Sequence, residues 1–190
     1  MEVHETRERM EHAEHALHRE RKRTALLIII IAVALALTEM AGKEAEFASI
    51  KYNIEASDIY AFYQAKTIRT TVLDTAVESA EALAGESEAR NAQVAAWRAT
   101  IARLDSDLTK GEGRTELLAK ARELQQQGND ETQSYHDFEV SSAALQLAIV
   151  VASAAVIVEL VLLEFVSLGF FFVGAAFALV GLLAPGLLHF

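Results

Sequence analysis

The sequence predicts an all-α integral membrane protein with three transmembrane helices. A long extramembrane, coiled-coil-like antiparallel helical hairpin is predicted between the first and second of them. Three observations support this fold class. The 190 residues include a single proline, Pro185, which favours long uninterrupted helices. Hydrophobic residues make up 52% of the chain and concentrate in two blocks, residues 25–37 and 143–188. The segment between these blocks is polar and has helical apolar periodicity.

Residues 1–23 are predicted to form an amphipathic helix rich in His, Glu and Arg. It ends in a basic cluster that includes Lys22 and Arg23, directly before the first apolar block. We predict a transmembrane helix over 24–42, because the apolar run with its flanks approaches the ~20 residues that cross a bilayer. A cleaved signal peptide is the alternative. The long polar segment before the basic cluster and the lack of a clear small-x-small site argue against it.

The carboxyl-terminal block is too long for one span, because a single helix over 143–188 would be about 70 Å long. We therefore predict that the chain folds back at "EFVSLG", residues 164–169, which contains a charge, a serine and a glycine. The fold-back separates transmembrane helices over 142–163 and 168–188. Small residues in the last helix, among them Gly169 and Gly174, are expected to permit close helix packing.

The basic cluster before the first span also predicts orientation, since short basic flanks stay in the cytoplasm. The amino terminus is then cytoplasmic in a bacterial inner membrane, and residues 43–140 are periplasmic or otherwise extracytoplasmic. The orientation of the last two spans depends on the first span alone, because their predicted connection has Glu164 and no basic residue.

The extramembrane segment, 43–140, contains 11 Lys/Arg against 18 Asp/Glu, which argues against nucleic acid as a partner. It has no glycine or proline before Gly85, and an outgoing helix of about 63 Å then matches about 76 Å of returning helix. We therefore expect the hairpin to turn near Gly85 and the returning helix to break near Gly111. Apolar residues of the returning helix repeat at heptad spacing: Val94, Trp97, Ile101, Leu104 and Leu108.

The stretch "ASDIYAFYQAKTIRTT", residues 56–71, has apolar side chains on two faces of one helix. The first face consists of Ile54, Ala61, Ala65, Ile68 and Val72, and we expect it to pack on the returning helix. The second consists of Tyr52, Ile59 and Tyr63, with Phe62 between the two faces. We expect these four residues to contact another subunit, because Tyr60 would be about 27 Å beyond the membrane, too far for an aromatic belt. The alternative is that all these side chains complete one internal core.

The segment "EASDIYAFYQAKTIR" resembles the signature of a bacterial family, domain of unknown function 4337. Members of that family are membrane-anchored and share a Tyr-Gln-Ala triplet, here Tyr63, Gln64 and Ala65. The His/Glu-rich start with its basic flank and the segment "LQLAIVVASAAVI" extend the resemblance over most of the chain. The family often has arginines between its last two spans, where this chain has Glu164. Because the family has no established activity, the resemblance implies an architecture and no catalysis.

Three histidines, His12, His15 and His18, are interleaved with glutamates near the amino terminus. Imidazole and carboxylate groups suit zinc, copper or nickel. The histidine spacing spreads the rings over about 120° of one helix, so one ion would need ligands from a second chain. A solvated helix stabilised by Glu–Arg and Glu–His pairs is the simpler interpretation. No cofactor is therefore predicted, and metal binding and pH sensing stay as alternatives.

Glu159 and Glu164 are carboxylates within the second apolar block. Intramembrane carboxylates are candidates for function because burying a charge in hydrocarbon is costly. We expect Glu164 to reach water at the fold-back and Glu159 to lie about one turn deeper. Glu159 is then either part of an ion or proton pathway or a structural contact.

The sequence lacks a Ser-His-Asp order, a phosphate loop and a His-Glu-x-x-His motif, which argues against an enzyme. We therefore expect a non-enzymatic structural or scaffold protein that self-associates through its helical hairpin. Its expected partners are the lipid bilayer, further copies of itself and an unidentified membrane protein. The alternatives are a channel or transporter subunit that uses Glu159, and a metal-binding or pH-sensing membrane protein that uses the histidines.

Overall fold

The computed structural model describes residues 22–83 and 87–183 in full and residues 2–21 as helical backbone only. Within these residues the chain forms four helices and no strand, which confirms the all-α class. The helices are α1 (Glu2–Ala82), α2 (Glu88–Asp105), α3 (Arg114–Val158) and α4 (Val161–Leu183). Three of them, α1, α3 and α4, have a stretch long and apolar enough to cross a membrane. The chain divides into two compact units: Met1–Phe47 with Asp130–Phe190, and Ala48–Asn129.

Helix α1 continues without a break through the predicted boundaries at residues 23 and 42. One of its faces is turned inward along both units, and we call it the inner seam. Its residues alternate at spacings of three and four, and each is buried or half-buried. In chain order they occupy positions 24, 28, 31, 35, 38, 42, 45, 49, 52, 56, 59, 63, 66, 70, 73 and 77. Many are small, such as Ala45, Ser49 and Ala56, so a neighbouring helix can lie close to the α1 backbone.

The first unit packs α1, α3 and α4 around a core of Ile31, Leu145 and Ala148. A cluster of half-buried apolar side chains surrounds this core, including Leu27, Leu35, Phe170 and Phe171. Gly42 lies close to the same α3 helix, since a Cβ added there would be 3.2 Å from the Phe138 Cβ atom. The apolar segment of α1 is therefore packed against α3 at several levels.

Helices α3 and α4 make a second close contact in this unit. Ser167, Gly174 and Gly181 are buried on one face of α4, seven residues apart. The Ser141 hydroxyl donates to the Gly174 carbonyl at 2.7 Å, and the Ser167 hydroxyl donates to the Ala148 carbonyl at 2.8 Å. These bonds satisfy buried hydroxyls that would otherwise be costly between apolar helices.

The predicted fold-back at residues 164–169 is wrong. The break between α3 and α4 lies at Glu159 and Leu160, and Glu159 has a left-handed backbone with φ of 56°. Its N–H donates to the Ala155 carbonyl at 2.9 Å and closes the last turn of α3. Ser167 and Gly169 stay inside α4, because the Ser167 hydroxyl bonds to the neighbouring helix instead of ending its own. Ser167 thus belongs to a helix contact and not to a turn, and Gly169 is an exposed position within α4.

The second unit packs α1 against α2 and the first part of α3. The returning chain runs antiparallel to α1, because later residues of α1 contact earlier residues of the return. Glu81 pairs with Arg98 at 2.6 Å, Tyr60 bonds to Gln125 at 3.2 Å, and Asn53 lies close to Gly128. In α2, Val94 and Leu104 are buried, as their heptad spacing indicates. Leu108 is 87% exposed, because α2 ends at Asp105 and Leu108 no longer follows the helical repeat. The predicted turn near Gly85 lies outside the described residues.

Two glycines of α4 give a matched test of the α3–α4 contact. A Cβ added to Gly174 would lie 2.8 Å from the Leu145 Cγ atom and 3.1 Å from the Ser141 carbonyl oxygen, whereas at Gly169 nothing lies within 4 Å. We expect Gly174→Ala to lower the unfolding free energy in detergent by about 1–3 kcal/mol through overpacking. Gly169→Ala should be neutral or stabilise by up to about 1 kcal/mol, since alanine favours helix. Equal effects from the two variants would contradict the close α3–α4 contact.

Candidate assembly surface

Apolar side chains cover the face of α1 opposite the inner seam in the second unit. The largest of them are strongly exposed: Ile50 by 49%, Ile54 by 57%, Ile68 by 66% and Val72 by 62%. Ala61 and Ala65 are exposed between the two pairs. At 3.6 residues per turn all six lie on one side of the helix. We call this face, formed by Ile50, Ile54, Ala61, Ala65, Ile68 and Val72, the outer stripe.

The face predicted to pack on the returning helix is exposed in the structure, whereas the face predicted to contact another subunit is half-buried within the chain. Tyr52, Ile59 and Tyr63 belong to the inner seam and are half-buried within the chain, on the same side as buried Ala56 and Thr70. They therefore have a partner inside the protein. Phe62 is 62% exposed and lies between the two faces, as its position in the sequence indicates.

The burial of one face of α1 and the exposure of the other have a physical cause. The larger β-branched residues of α1 suggest a core face, but two long helices approach each other most closely where side chains are small. The inner seam supplies such positions, among them Ser49, Ala56 and Thr70, and its rings fill the spaces between them. The signal that identifies this face is the unbroken alternation of three and four residues, which includes small and polar residues.

The Tyr-Gln-Ala triplet is divided between the two faces. Tyr63 is half-buried, and the Arg114 guanidinium lies over its ring at 5.7 Å. Gln64 and Ala65 are exposed. Within one turn of helix, the triplet thus contains Tyr63, which makes an internal cation–π contact, and Ala65, which belongs to the outer stripe.

The connection between α2 and α3 positions Arg114. Gly111 has a left-handed backbone with φ of 64°, which glycine adopts without steric cost. Glu116, in the first turn of α3, accepts a hydrogen bond from the Ser106 hydroxyl at 2.6 Å and a longer one from the Asp107 N–H at 3.3 Å. The Ser106 hydrogen bond lowers the pKa of Glu116, because it stabilises the ionised carboxylate. This glutamate therefore ties the end of α2 to the start of α3.

A surface groove of about 490 Å³ lies beside this connection, bordered by Tyr63, Asp105, Arg114, Thr115 and Arg122. The Arg114 Nη1 atom donates to the Asp105 carboxylate at 2.9 Å, so these two charges compensate each other. The groove is thus bordered by the Arg114–Asp105 pair and by the ring of Tyr63, and these contacts stabilise the connection between α2 and α3.

The carboxylates of the second apolar block lie at one end of the first unit. Glu159 is exposed in the turn between α3 and α4, and half-buried Glu164 accepts a hydrogen bond from the Thr24 hydroxyl. The expectation that Glu159 lies deeper than Glu164 is therefore wrong, because the helix break occurs at Glu159 itself. Thr24 opens the apolar segment of α1, directly after Lys22 and Arg23.

The side chains of His12, His15 and His18 lie outside the described residues. In the part of the chain whose side chains are described, no group of three or more His, Asp and Glu residues is placed to hold a metal ion.

A family model described as domain of unknown function (DUF4337) matches residues 20–184 of the chain. The match includes the apolar segments of all three candidate spans and the whole second unit. No curated protein and no solved structure matches the chain.

The bond between Ser106 and Glu116 predicts a pH effect. Because the pKa of Glu116 is lowered in the folded chain, its contribution to stability is present above the ordinary value of 4.5 and is lost as pH falls through the folded value. We therefore expect Glu116→Gln to lower the thermal midpoint at neutral pH, and expect the difference from the unsubstituted protein to shrink below about pH 4. Glu123→Gln, at an exposed site of the same helix, serves as the control. A difference that stays constant from neutral to acidic pH would argue against this bond.

Proposed function

The chain belongs to the domain of unknown function 4337 family, and from that premise we propose that it is a membrane-anchored, non-enzymatic structural protein. In this proposal the first unit holds the chain in a bacterial inner membrane, and the second unit, a helical hairpin, mediates self-association outside the cytoplasm. The outer stripe of α1 is the observation that carries the proposal.

The surface of the first unit supports the membrane anchor. Large apolar side chains of α1 are exposed there, including Leu26, Ile29, Val33 and Leu37, each by more than half. Helix α4 exposes a similar set, with Phe165 and Phe172 above 60%. Apolar surface of this extent is unfavourable in water and suits the hydrocarbon of a bilayer.

The orientation follows from charges at one end of the unit. Lys22 and Arg23 flank the apolar segment of α1, and basic flanks stay in the cytoplasm. The Thr24–Glu164 hydrogen bond supports placing the turn between α3 and α4 on the same side. Residues 43–140 then lie outside the cytoplasm.

The outer stripe supports self-association because the described part of the chain leaves it exposed and, in this proposal, lipid does not reach it. The inner seam on the opposite side of α1 already packs against α2 and α3. If the first span ends at Gly42, the stretch from Ile54 to Val72 begins about 18 Å beyond the membrane edge and extends to about 45 Å. A second protein surface is the partner of suitable chemistry at that distance, and further copies are its simplest source.

Among the described residues of the second unit, the groove beside the α2–α3 connection agrees with a structural role. Catalysis needs a concave pocket that excludes water. In the groove beside the α2–α3 connection, the charged groups Arg114 and Asp105 are paired with each other and contribute to structure.

Two identical substitutions on opposite faces of α1 test the proposed function. Ile68→Asp places a charge on the outer stripe, where the side chain is 66% exposed, so the monomer's unfolding free energy should change by less than about 0.5 kcal/mol. The oligomer should dissociate, since an unpaired charge would be buried in its interface. Ile59→Asp, on the inner seam, should instead lower helicity and thermal stability. Mass in detergent and circular dichroism separate the two outcomes.

An unchanged oligomer in the Ile68→Asp protein would remove the outer stripe from the interface. A monomeric unsubstituted protein, in detergent and in native membranes, would overturn self-association altogether.

The orientation has its own test. The chain has no cysteine, so a single cysteine can be placed at Thr6 or at the exposed Ala99 of α2. In intact cells, a membrane-impermeant thiol reagent should label Ala99→Cys and leave Thr6→Cys unlabelled until the cells are opened. The reverse pattern of labelling would show that the second unit is cytoplasmic.

A further inference from the structure

We infer that the outer stripe of one copy binds the same stripe of a second copy in the same membrane, with the two α1 helices parallel and in register. This inference rests on the proposed self-association and specifies its geometry: residue 61 of one copy lies beside residue 61 of the other.

The shape of the stripe fits another helix. It is one side chain wide, and two bulky pairs, Ile50 with Ile54 and Ile68 with Val72, enclose Ala61 and Ala65. Alanines in the middle allow two backbones to approach, while the bulky residues on either side pack with their equivalents. A surface with this arrangement is complementary to itself, as a two-fold symmetric contact requires.

The area of the face is consistent with a dimer that membrane anchoring assists. With Phe62, which is 62% exposed, the second unit presents five large apolar side chains on or beside the stripe. At roughly 100 Å² each they offer about 500 Å² per copy, less than the ~800 Å² per partner of a standard interface. Anchoring both copies in one bilayer raises their effective concentration and reduces the affinity that the stripe must supply.

Chain direction makes the helices parallel. The apolar segment and the outer stripe belong to one uninterrupted helix, α1. Copies inserted in the same orientation in one bilayer send this helix out of the membrane in the same direction. A closed symmetric pair then has its axis along the membrane normal, which places each stripe residue beside its own equivalent.

Charges on the two flanks of the stripe agree with this direction. One flank has exposed Lys51, Asp58 and Arg69, and the other has exposed, uncharged Gln64 and Thr71. In a parallel pair the charged flank of one helix meets the uncharged flank of the other. An antiparallel pair that matches Ile54 with Ile68 would instead bring Lys51 near Arg69 of the second copy, a like-charge contact that disfavours the complex.

Single-cysteine cross-linking in native membranes tests the geometry, because the natural chain has no cysteine. We would introduce Ile54→Cys, Ala61→Cys, Ile68→Cys and Val72→Cys one at a time and treat the membranes with a short thiol cross-linker. Parallel, in-register helices should give covalent dimers at all four positions, roughly tenfold or more above Ala99→Cys, an exposed control on α2. Ala61→Cys changes the side chain least and guards against loss of assembly through substitution.

The contrary results are distinct from one another. Cross-links at Ala61→Cys alone, together with cross-links between mixed Ile54→Cys and Ile68→Cys chains, would show antiparallel helices and overturn the inference while self-association stands. An oligomer by mass without cross-links along the stripe would place the interface elsewhere and also overturn the inference. Monomers by both methods would remove the proposed function together with it.

Discussion

Close approach along one face of α1 is the constraint on which the other packing contacts depend. The inner seam recurs every three and four residues, and many of its members are small. Where it contains Gly42, the α3 helix comes near enough for Phe138 to lie against the α1 backbone. Where it contains Ala56, the rings of Tyr52 and Tyr63 occupy neighbouring positions on the same face. Larger side chains such as Ile31, Ile59 and Val77 also lie on this seam. In the second unit, four bulky β-branched residues of α1 lie on the opposite face: Ile50, Ile54, Ile68 and Val72.

Hydroxyl groups make this close packing compatible with an apolar interior. In the first unit the Ser141 and Ser167 side chains donate to carbonyls of the facing helix, so α3 and α4 are held by hydrogen bonds as well as by contact. Between apolar helices in a membrane these bonds matter more than hydrophobicity, because lipid is as apolar as leucine. Because the fold-back lies at Glu159 and Leu160, Ser167 is inside α4 and its hydroxyl can reach the Ala148 carbonyl of α3.

The division of α1 into two faces is what connects the fold to the proposed function. Its inner face is used within the chain, and its outer face presents exposed aliphatic side chains in the second unit. Tyr63 and Ala65, two residues apart in one triplet, belong to different faces. A change at either position is thus expected to act on a different property of the molecule, folding in one case and assembly in the other.

The sequence alone was sufficient to predict the helical class, three apolar helices and the family, because run length, proline content and a recognisable motif are local properties. It also supplied the heptad positions Val94 and Leu104 that are buried in α2. Tertiary structure decided which face of α1 is buried and where α3 gives way to α4. Hydrophobicity ranks Ile68 above Ala56 as a core residue, yet the close approach of helices selects the smaller side chain. Likewise, Ser167 has the composition of a turn, and only the carbonyl of a neighbouring helix keeps it inside α4.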